Sequence, residues 1–197
     1  MFRPSARERI LYEGLNLACT GGLCRVTYGA IARRAGVSKS GIVAHFATVD
    51  CLKRAIVGRA MELWTRACLA PSPERSHGLP ELSRYLNSWL SWTKRAALPG
   101  GCPIASAIFE HSYHASSVRV AVVAAEAHWR GTLVELIEGA IAESDLPRSV
   151  DPSQMAWNLL GVYLSHHVSC HFLRTSDADQ RARNCIAQLI ATARRPN

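Results

Sequence analysis

The stretch from Thr27 to Phe46 reads TYGAIARRAGVSKSGIVAHF. Its chemistry-bearing residues are Lys39, Ser40, Gly41, Ala44 and His45. Lys39 and Ser40 suit phosphates or base edges, and His45 adds a further polar group. Gly41 and Ala44 are small enough to let a backbone approach base edges or a thymine methyl. Such a set reads a nucleic acid groove, provided one helix carries all five residues on its outer side.

The flanking residues supply that helix. Ile31, Ala32 and Ala35 form one apolar stripe of a short helix, with Thr27 as its N-cap. Gly36 follows the last helical residue, where a positive φ is needed. Val37 is the apolar residue of the turn, and Ser38 caps a second helix in which Ile42 and Phe46 face inward. Any helix pair in a bundle can share this spacing. What separates the two readings is a preceding helix, with Ile10, Leu11, Gly14, Leu15 and Ala18 on one face and a Gly21-Gly22 end, and a crowd of basic residues. These are Arg3, Arg7, Arg9, Arg25, Arg33, Arg34, Lys39, Lys53 and Arg54. The segment predicts a three-helix unit whose last helix enters the major groove of DNA.

Residues 7 to 57 resemble the DNA-binding domain of the tetracycline-repressor (TetR) family. The resemblance is carried by the Ile10–Ala18 helix, the Gly21-Gly22 break, the IARRAGVSKSG run from Ile31 to Gly41, the His45-Phe46 pair and the Asp50–Leu52 start of a fourth helix. A subgroup also shares the SKSG…AHF recognition helix and a PGGC segment, here Pro99 to Cys102. The resemblance implies an all-helical homodimer. An N-terminal helix-turn-helix domain, residues 1–48, would be followed by a ligand-sensing and dimerisation domain, residues 49–197. The DNA-contacting set would be Thr27, Tyr28, Arg33, Ser38, Lys39, Ser40, Gly41, Ala44, His45 and Lys53. Two positions depart from the family pattern. Val43 stands where a phosphate-contacting Tyr is usual, and Val49 where a Lys is common.

Beyond the reader the chain alternates helices and breaks. A helix over Asp50–Leu69 should join the reader to the rest, and Pro71-Ser72-Pro73 opens a loop running to Pro80. Helices follow around Leu82–Leu90, from Pro103, over Ser117–Ala142, from Pro152 with Asp151 as cap, and from Asp177. Aromatic residues concentrate between 64 and 129. Trp64, Cys68, Trp89, Trp92, Cys102, Phe109, Tyr113 and Trp129 are the candidate lining of a pocket for a small, largely apolar effector. Arg66, Arg95, His111, His114 and His128 would supply a polar contact. The helix from Pro152 is apolar on more than one face, which suits burial against its own core and a partner. Met155, Leu159, Val162, Tyr163, His166, Ile186, Leu189 and Ile190 are the candidate dimer interface. Gly161 and Ser165 permit close helix approach.

Two further features have a sensing chemistry. Cys102 follows two glycines at a helix start, where a thiolate is favoured. On a helix, His167 and His171 share a face, as do His166 and Cys170. Each pair supplies two metal ligands and neither face a third, so no metal site is expected. A thiol- or metal-responsive regulator of the same fold is the alternative reading.

Composition sets the limits. A net charge of +8 and a pI near 9.5 suit a polyanionic partner, and 48 % hydrophobic residues suffice for a substantial core. No apolar run is long enough to span a membrane, and the N-terminus has no signal-peptide pattern. Seven scattered cysteines without a C-x-x-C pair fit a reduced, cytoplasmic protein. No nucleophile–base spacing, phosphate-binding loop or dinucleotide fingerprint points to an enzyme or a cofactor. Aromatic stacking platforms of an RNA binder are not evident.

Overall fold

The computed structural model describes residues 4–70, 77–112 and 115–194. Among them there are ten α-helices and no strand: α1 (Ala6–Gly21), α2 (Tyr28–Ala35), α3 (Lys39–His45), α4 (Val49–Cys68), α5 (Gly78–Leu90), α6 (Trp92–Arg95), α7 (Pro103–Glu110), α8 (Ser117–Ala142), α9 (Pro152–Val168) and α10 (Ala178–Ala193). A 3-10 turn covers Leu23–Arg25 and a π-helical turn covers Ser169–Leu173. The all-helical expectation holds. Pro71-Ser72-Pro73, Arg3, Tyr113 and His114 lie outside the described residues.

Two compact units make up the chain. One holds the residues up to Leu63 together with Ala96–Ala125, and the other holds Trp64–Arg95 together with the residues from Glu126 onward. The expected division between residues 48 and 49 falls inside the first unit. Helices α4 and α8 have residues in both units.

In the first unit α1 starts with a capping box. The Glu8 N–H donates to Ser5 Oγ at 3.2 Å, and the Ser5 N–H donates to Glu8 Oε2 at 2.7 Å. Ile10, Leu15, Leu23, Val26, Ile31, Ile42, Leu52 and Ile56 form the core. The loop before α7 closes against the end of α1. The Gly101 N–H donates to the Cys19 carbonyl at 3.0 Å. A Cβ on Gly100 would lie 2.2 Å from that carbonyl oxygen, so only glycine fits. At the other end of α7, Glu110 Oε2 accepts from the Cys24 N–H at 2.8 Å and Oε1 from the Leu23 N–H at 3.2 Å. The 3-10 turn after α1 is thus held by a carboxylate far along the chain.

In the second unit α5 begins earlier than the sequence suggests. Pro80 sits in its first turn, where a missing N–H has no intrahelical partner to lose. The Leu79 N–H there donates to Asp145 Oδ2 at 2.8 Å. The short helix α6, four residues long, has no pattern of its own in the sequence. Asp151 caps α9 as expected, accepting from the Ser153 and Gln154 N–H groups. Asp177 precedes α10 without a side-chain cap bond.

Gly100→Ala should lower the unfolding free energy by about 1–3 kcal/mol, the usual cost of forcing atoms into filled space. Gly58→Ala, in the exposed middle of α4 with nothing near its Cβ position, should raise it by up to about 1 kcal/mol. Urea unfolding midpoints of the two variants check both signs.

Candidate nucleic-acid interface and aromatic core

The pair α2–α3 has the expected turn. Gly36 has φ 61° and ψ 39°, the left-handed region, and its N–H closes on the Ala32 carbonyl. Thr27 Oγ1 accepts from the Ala30 N–H at 3.1 Å, capping α2, and Ser38 Oγ accepts from the Gly41 N–H at 3.0 Å, capping α3. Ile31, Ile42 and Phe46 are buried, so the inner face is as the spacing predicts.

Lys39, Ser40, Ala44 and His45 are exposed on α3, and Arg33 is exposed on α2. Lys53, on α4, is half-buried. Three residues of the expected contact set have internal duties. The hydroxyls of Thr27 and Ser38 are caps. The Tyr28 hydroxyl donates to the Phe46 carbonyl at 2.6 Å, tying α2 to the last turn of α3. Gly41 is half-buried, and a Cβ there would lie 3.0 Å from Val37 Cγ1 and 3.2 Å from the capping Ser38 Oγ. A large side chain at Gly41 therefore disturbs the turn as well as the outer face, and Ala44 is the cleaner probe of the surface. Arg34 is spent on Glu13, at 2.8 Å, and the Arg7 guanidinium lies 5.6 Å from the Phe46 ring centroid. Val43 is 45 % exposed on α3.

The second unit contains a cluster of rings. Trp64, Tyr85, Trp89, Trp92, Trp129 and Tyr163 are all buried. Trp89 stacks on Tyr163 with centroids 4.2 Å apart and planes 5° from parallel. Trp129 meets both edge-on, at 5.7 Å from Trp89 and 5.5 Å from Tyr163. Trp64 meets Tyr85 at 6.2 Å and His128 at 5.5 Å. The Trp92 indole N–H donates to the Tyr163 hydroxyl at 2.8 Å. Four polar atoms of this cluster have no hydrogen-bond partner among the described residues: Trp64 Nε1, Tyr85 Oη, Trp89 Nε1 and Trp129 Nε1. Burial pushes the Tyr85 phenol well above its usual pKa, so it keeps its proton.

Of the other expected pocket residues, Cys68 is buried in the same unit. Cys102 and Phe109 belong to the first unit. Phe109 is 53 % exposed, and Cys102 is 2 % exposed with its sulfur accepting the Ala105 N–H at 3.4 Å. Cys102 is thus an N-cap shielded from solvent. Burial pushes the nearby Cys19 thiol up to about 12.

The family pattern described as "Tetracyclin repressor-like, C-terminal domain" matches residues 78–186. The chain belongs to the TetR family. No curated protein matches it in sequence. Solved structures of the same fold include a TetR transcriptional regulator from Chloroflexus aurantiacus J-10-FL, with 22 % identity, a TM-score of 0.80, and coverage of 94 % of this chain and 92 % of that one. A TetR-family regulator from Agrobacterium tumefaciens has 19 % identity and a TM-score of 0.80, covering 96 % and 98 %. AibR, solved in complex with isovaleryl coenzyme A and operator DNA, has 20 % identity and a TM-score of 0.72, covering 94 % and 98 %.

This TetR-family regulator packs α10 against α9. Leu159 and Tyr163, expected at a dimer interface, are 1 % and 4 % exposed within a single chain, because that side of α9 faces the chain's own aromatic core. Met155 and His166 are also largely covered, whereas Val162, Ile186, Leu189 and Ile190 remain half-exposed. Trp157 is 62 % exposed. With Gly161, Val162, Ser165, Cys185 and Leu189 it lines a shallow groove along α9 and α10. Among the described residues no helix is long and apolar enough to cross a membrane.

Removing a paired buried hydroxyl costs about 0.5–1.5 kcal/mol, whereas removing one that lacks a partner relieves a desolvation penalty. Tyr85→Phe should therefore leave the stability of the purified protein unchanged or raise it, as read by urea unfolding. A loss of about 1 kcal/mol or more would mean that the hydroxyl has a partner.

Proposed function

We propose that this TetR-family regulator is a repressor that binds a pseudo-palindromic operator as a homodimer and is released by a small, flat, largely apolar effector carrying hydrogen-bond acceptors. The observation that carries the effector reading is the set of four unpartnered polar atoms on Trp64, Tyr85, Trp89 and Trp129. An unsatisfied buried donor costs about 1–3 kcal/mol. Four of them approach the net stability of a whole domain, about 5–15 kcal/mol. Edge-to-face contacts among the rings offset part of this. An aromatic molecule with carbonyl or carboxylate oxygens would stack on the rings and satisfy the N–H and O–H groups together.

On DNA, Lys39, Ser40, Ala44 and His45 meet the groove, with Arg33 and Lys53 towards the phosphates. Thr27, Tyr28, Ser38 and Gly41 shape the helix that carries them. The groove beside Trp157 on α9 and α10 pairs with its copy in a four-helix, two-fold interface. Two recognition helices then stand about one DNA turn apart, roughly 34–36 Å. Effector binding biases the chain through α4, which contributes Trp64 and Cys68 to the sensor side and Lys53 to the reader side. A coupling of about 1–3 kcal/mol suffices for release. The protein acts in the cytoplasm, where its cysteines stay reduced.

Selection of bound sequences from random duplex DNA, at fixed salt, should enrich a pseudo-palindrome. Against that site, Lys39→Ala should lower affinity and flatten the log–log salt slope by about one unit for one lost phosphate contact. Ala44→Glu should abolish specific binding while the far-UV spectrum stays helical. Enrichment of no motif, or normal operator binding by Ala44→Glu, would contradict the placement of α3 in the groove.

A further inference from the structure

His166 and Cys170 lie one turn apart where α9 passes into the π-helical turn Ser169–Leu173, and Asp179 stands in the first turn of α10. Their side chains converge. His166 Nε2 is 2.6 Å from Asp179 Oδ1 and 3.3 Å from Cys170 Sγ. The three ligand atoms all lie within 4.8 Å of one another. Sequence spacing supplied the His–Cys pair only. The third group comes from the next helix, which no periodicity on α9 can reveal.

One atom carries the argument. A single imidazole nitrogen offers either one proton or one lone pair. Here the same Nε2 faces a carboxylate and a thiol sulfur. If it donates to Asp179, the sulfur gains at most a shared contact. A divalent cation placed between them engages all three groups at once.

The dimensions fit zinc. Zn–N and Zn–O bonds of about 2.0–2.2 Å and a Zn–S bond of about 2.3 Å put tetrahedral ligand atoms roughly 3.4–3.6 Å apart. Cys170 already stands near that separation from His166. Asp179 Oδ1 must retreat from His166 by under about 1 Å, and its separation from Cys170 Sγ, within 4.8 Å, must close to the tetrahedral value; its side chain is 53 % exposed, so there is room. Its other oxygen, Oδ2, is 3.4 Å from Lys94 Nζ, which leaves Oδ1 to face the site. The π-helical turn widens the helix at Cys170, a distortion frequent at functional sites.

We propose that His166 Nε2, Cys170 Sγ and Asp179 Oδ1 form a zinc-class divalent metal site that clips the start of α10 to the end of α9, with a fourth position open to solvent. The donor set, one nitrogen, one thiolate and one carboxylate, selects zinc over calcium or magnesium. On binding, the thiol proton and any proton on Nε2 leave to solvent. The site is independent of the aromatic core and of the effector assigned to it. His167 and His171, whose rings are 4.9 Å apart, are not part of it.

Cobalt(II) titration of the full-length, chelator-treated protein tests the assignment. One equivalent per chain should give the intense visible bands of a tetrahedral ion and a near-ultraviolet thiolate-to-cobalt band, both abolished by excess Zn²⁺. Cys170→Ser should remove the thiolate band. Asp179→Asn should weaken Co²⁺ binding by at least ~10-fold, since even outer-sphere partners contribute about 10–100-fold. Cys24→Ser, at an exposed cysteine of the other unit, should change neither. The absence of a thiolate band in the unmutated protein, or its survival in Cys170→Ser, would overturn the proposal. If Cys170→Ser loses its helical spectrum, Asp179→Asn decides, and unchanged Co²⁺ affinity there overturns it.

Discussion

The carboxylate of Glu110 accepts the backbone N–H groups of Leu23 and Cys24, at 3.2 and 2.8 Å, and so fixes the turn that follows α1. These two donors belong to a 3-10 turn too short to satisfy them, and a charged acceptor is worth more than a neutral one. The same end of α1 receives the Gly101 N–H on the Cys19 carbonyl and the bare Cα of Gly100 beside it. Both ends of α7 therefore grip one point of the DNA-reading unit. The orientation of α1 sets that of α2 and α3, because all three share the core around Ile10, Ile31 and Ile42. The PGGC segment, whose sequence allows a reactive thiol but favours a buried small side chain, is an anchoring loop in which Cys102 is a buried cap.

The second unit is organised by a different constraint. Trp89 and Tyr163 stack at 4.2 Å, and the Trp92 N–H fixes the Tyr163 hydroxyl. Aromatic contacts of this kind contribute about 0.5–1.5 kcal/mol each beyond the area they bury. Against that stand four polar atoms with no partner among the described residues. A core built only for stability would place Phe or Leu at such positions. The chain instead keeps N–H and O–H groups inside, and the proposed effector rests on them.

Much of the fold is legible in the sequence because its signals are local. Thr27, Gly36 and Ser38 mark the helix-turn-helix through caps and one left-handed residue, all within one short stretch. Pro103, Asp151 and Pro152 mark helix starts, and α8 spans Ser117–Ala142 as its hydropathy suggests. The capping box of Ser5 and Glu8 has an equally local signal, S-x-x-E. What is not legible depends on distant partners. Glu110 has no local mark of its role. Tyr163 sits on a helix apolar around most of its surface, so periodicity cannot say which side meets the chain's own core. The Tyr28 hydroxyl donates to the Phe46 carbonyl at the far end of α3, a partner that no local pattern around Tyr28 reveals.

The anchoring of the DNA reader by α7 is tested most directly by the operator affinity of Glu110→Gln at fixed salt. The substitution removes a negative charge, and electrostatics alone would strengthen binding to DNA. The account predicts the opposite, weaker specific binding, because the turn after α1 loses its charged acceptor and α2–α3 lose their fixed position. Affinity equal to or above that of the unmutated protein would contradict it.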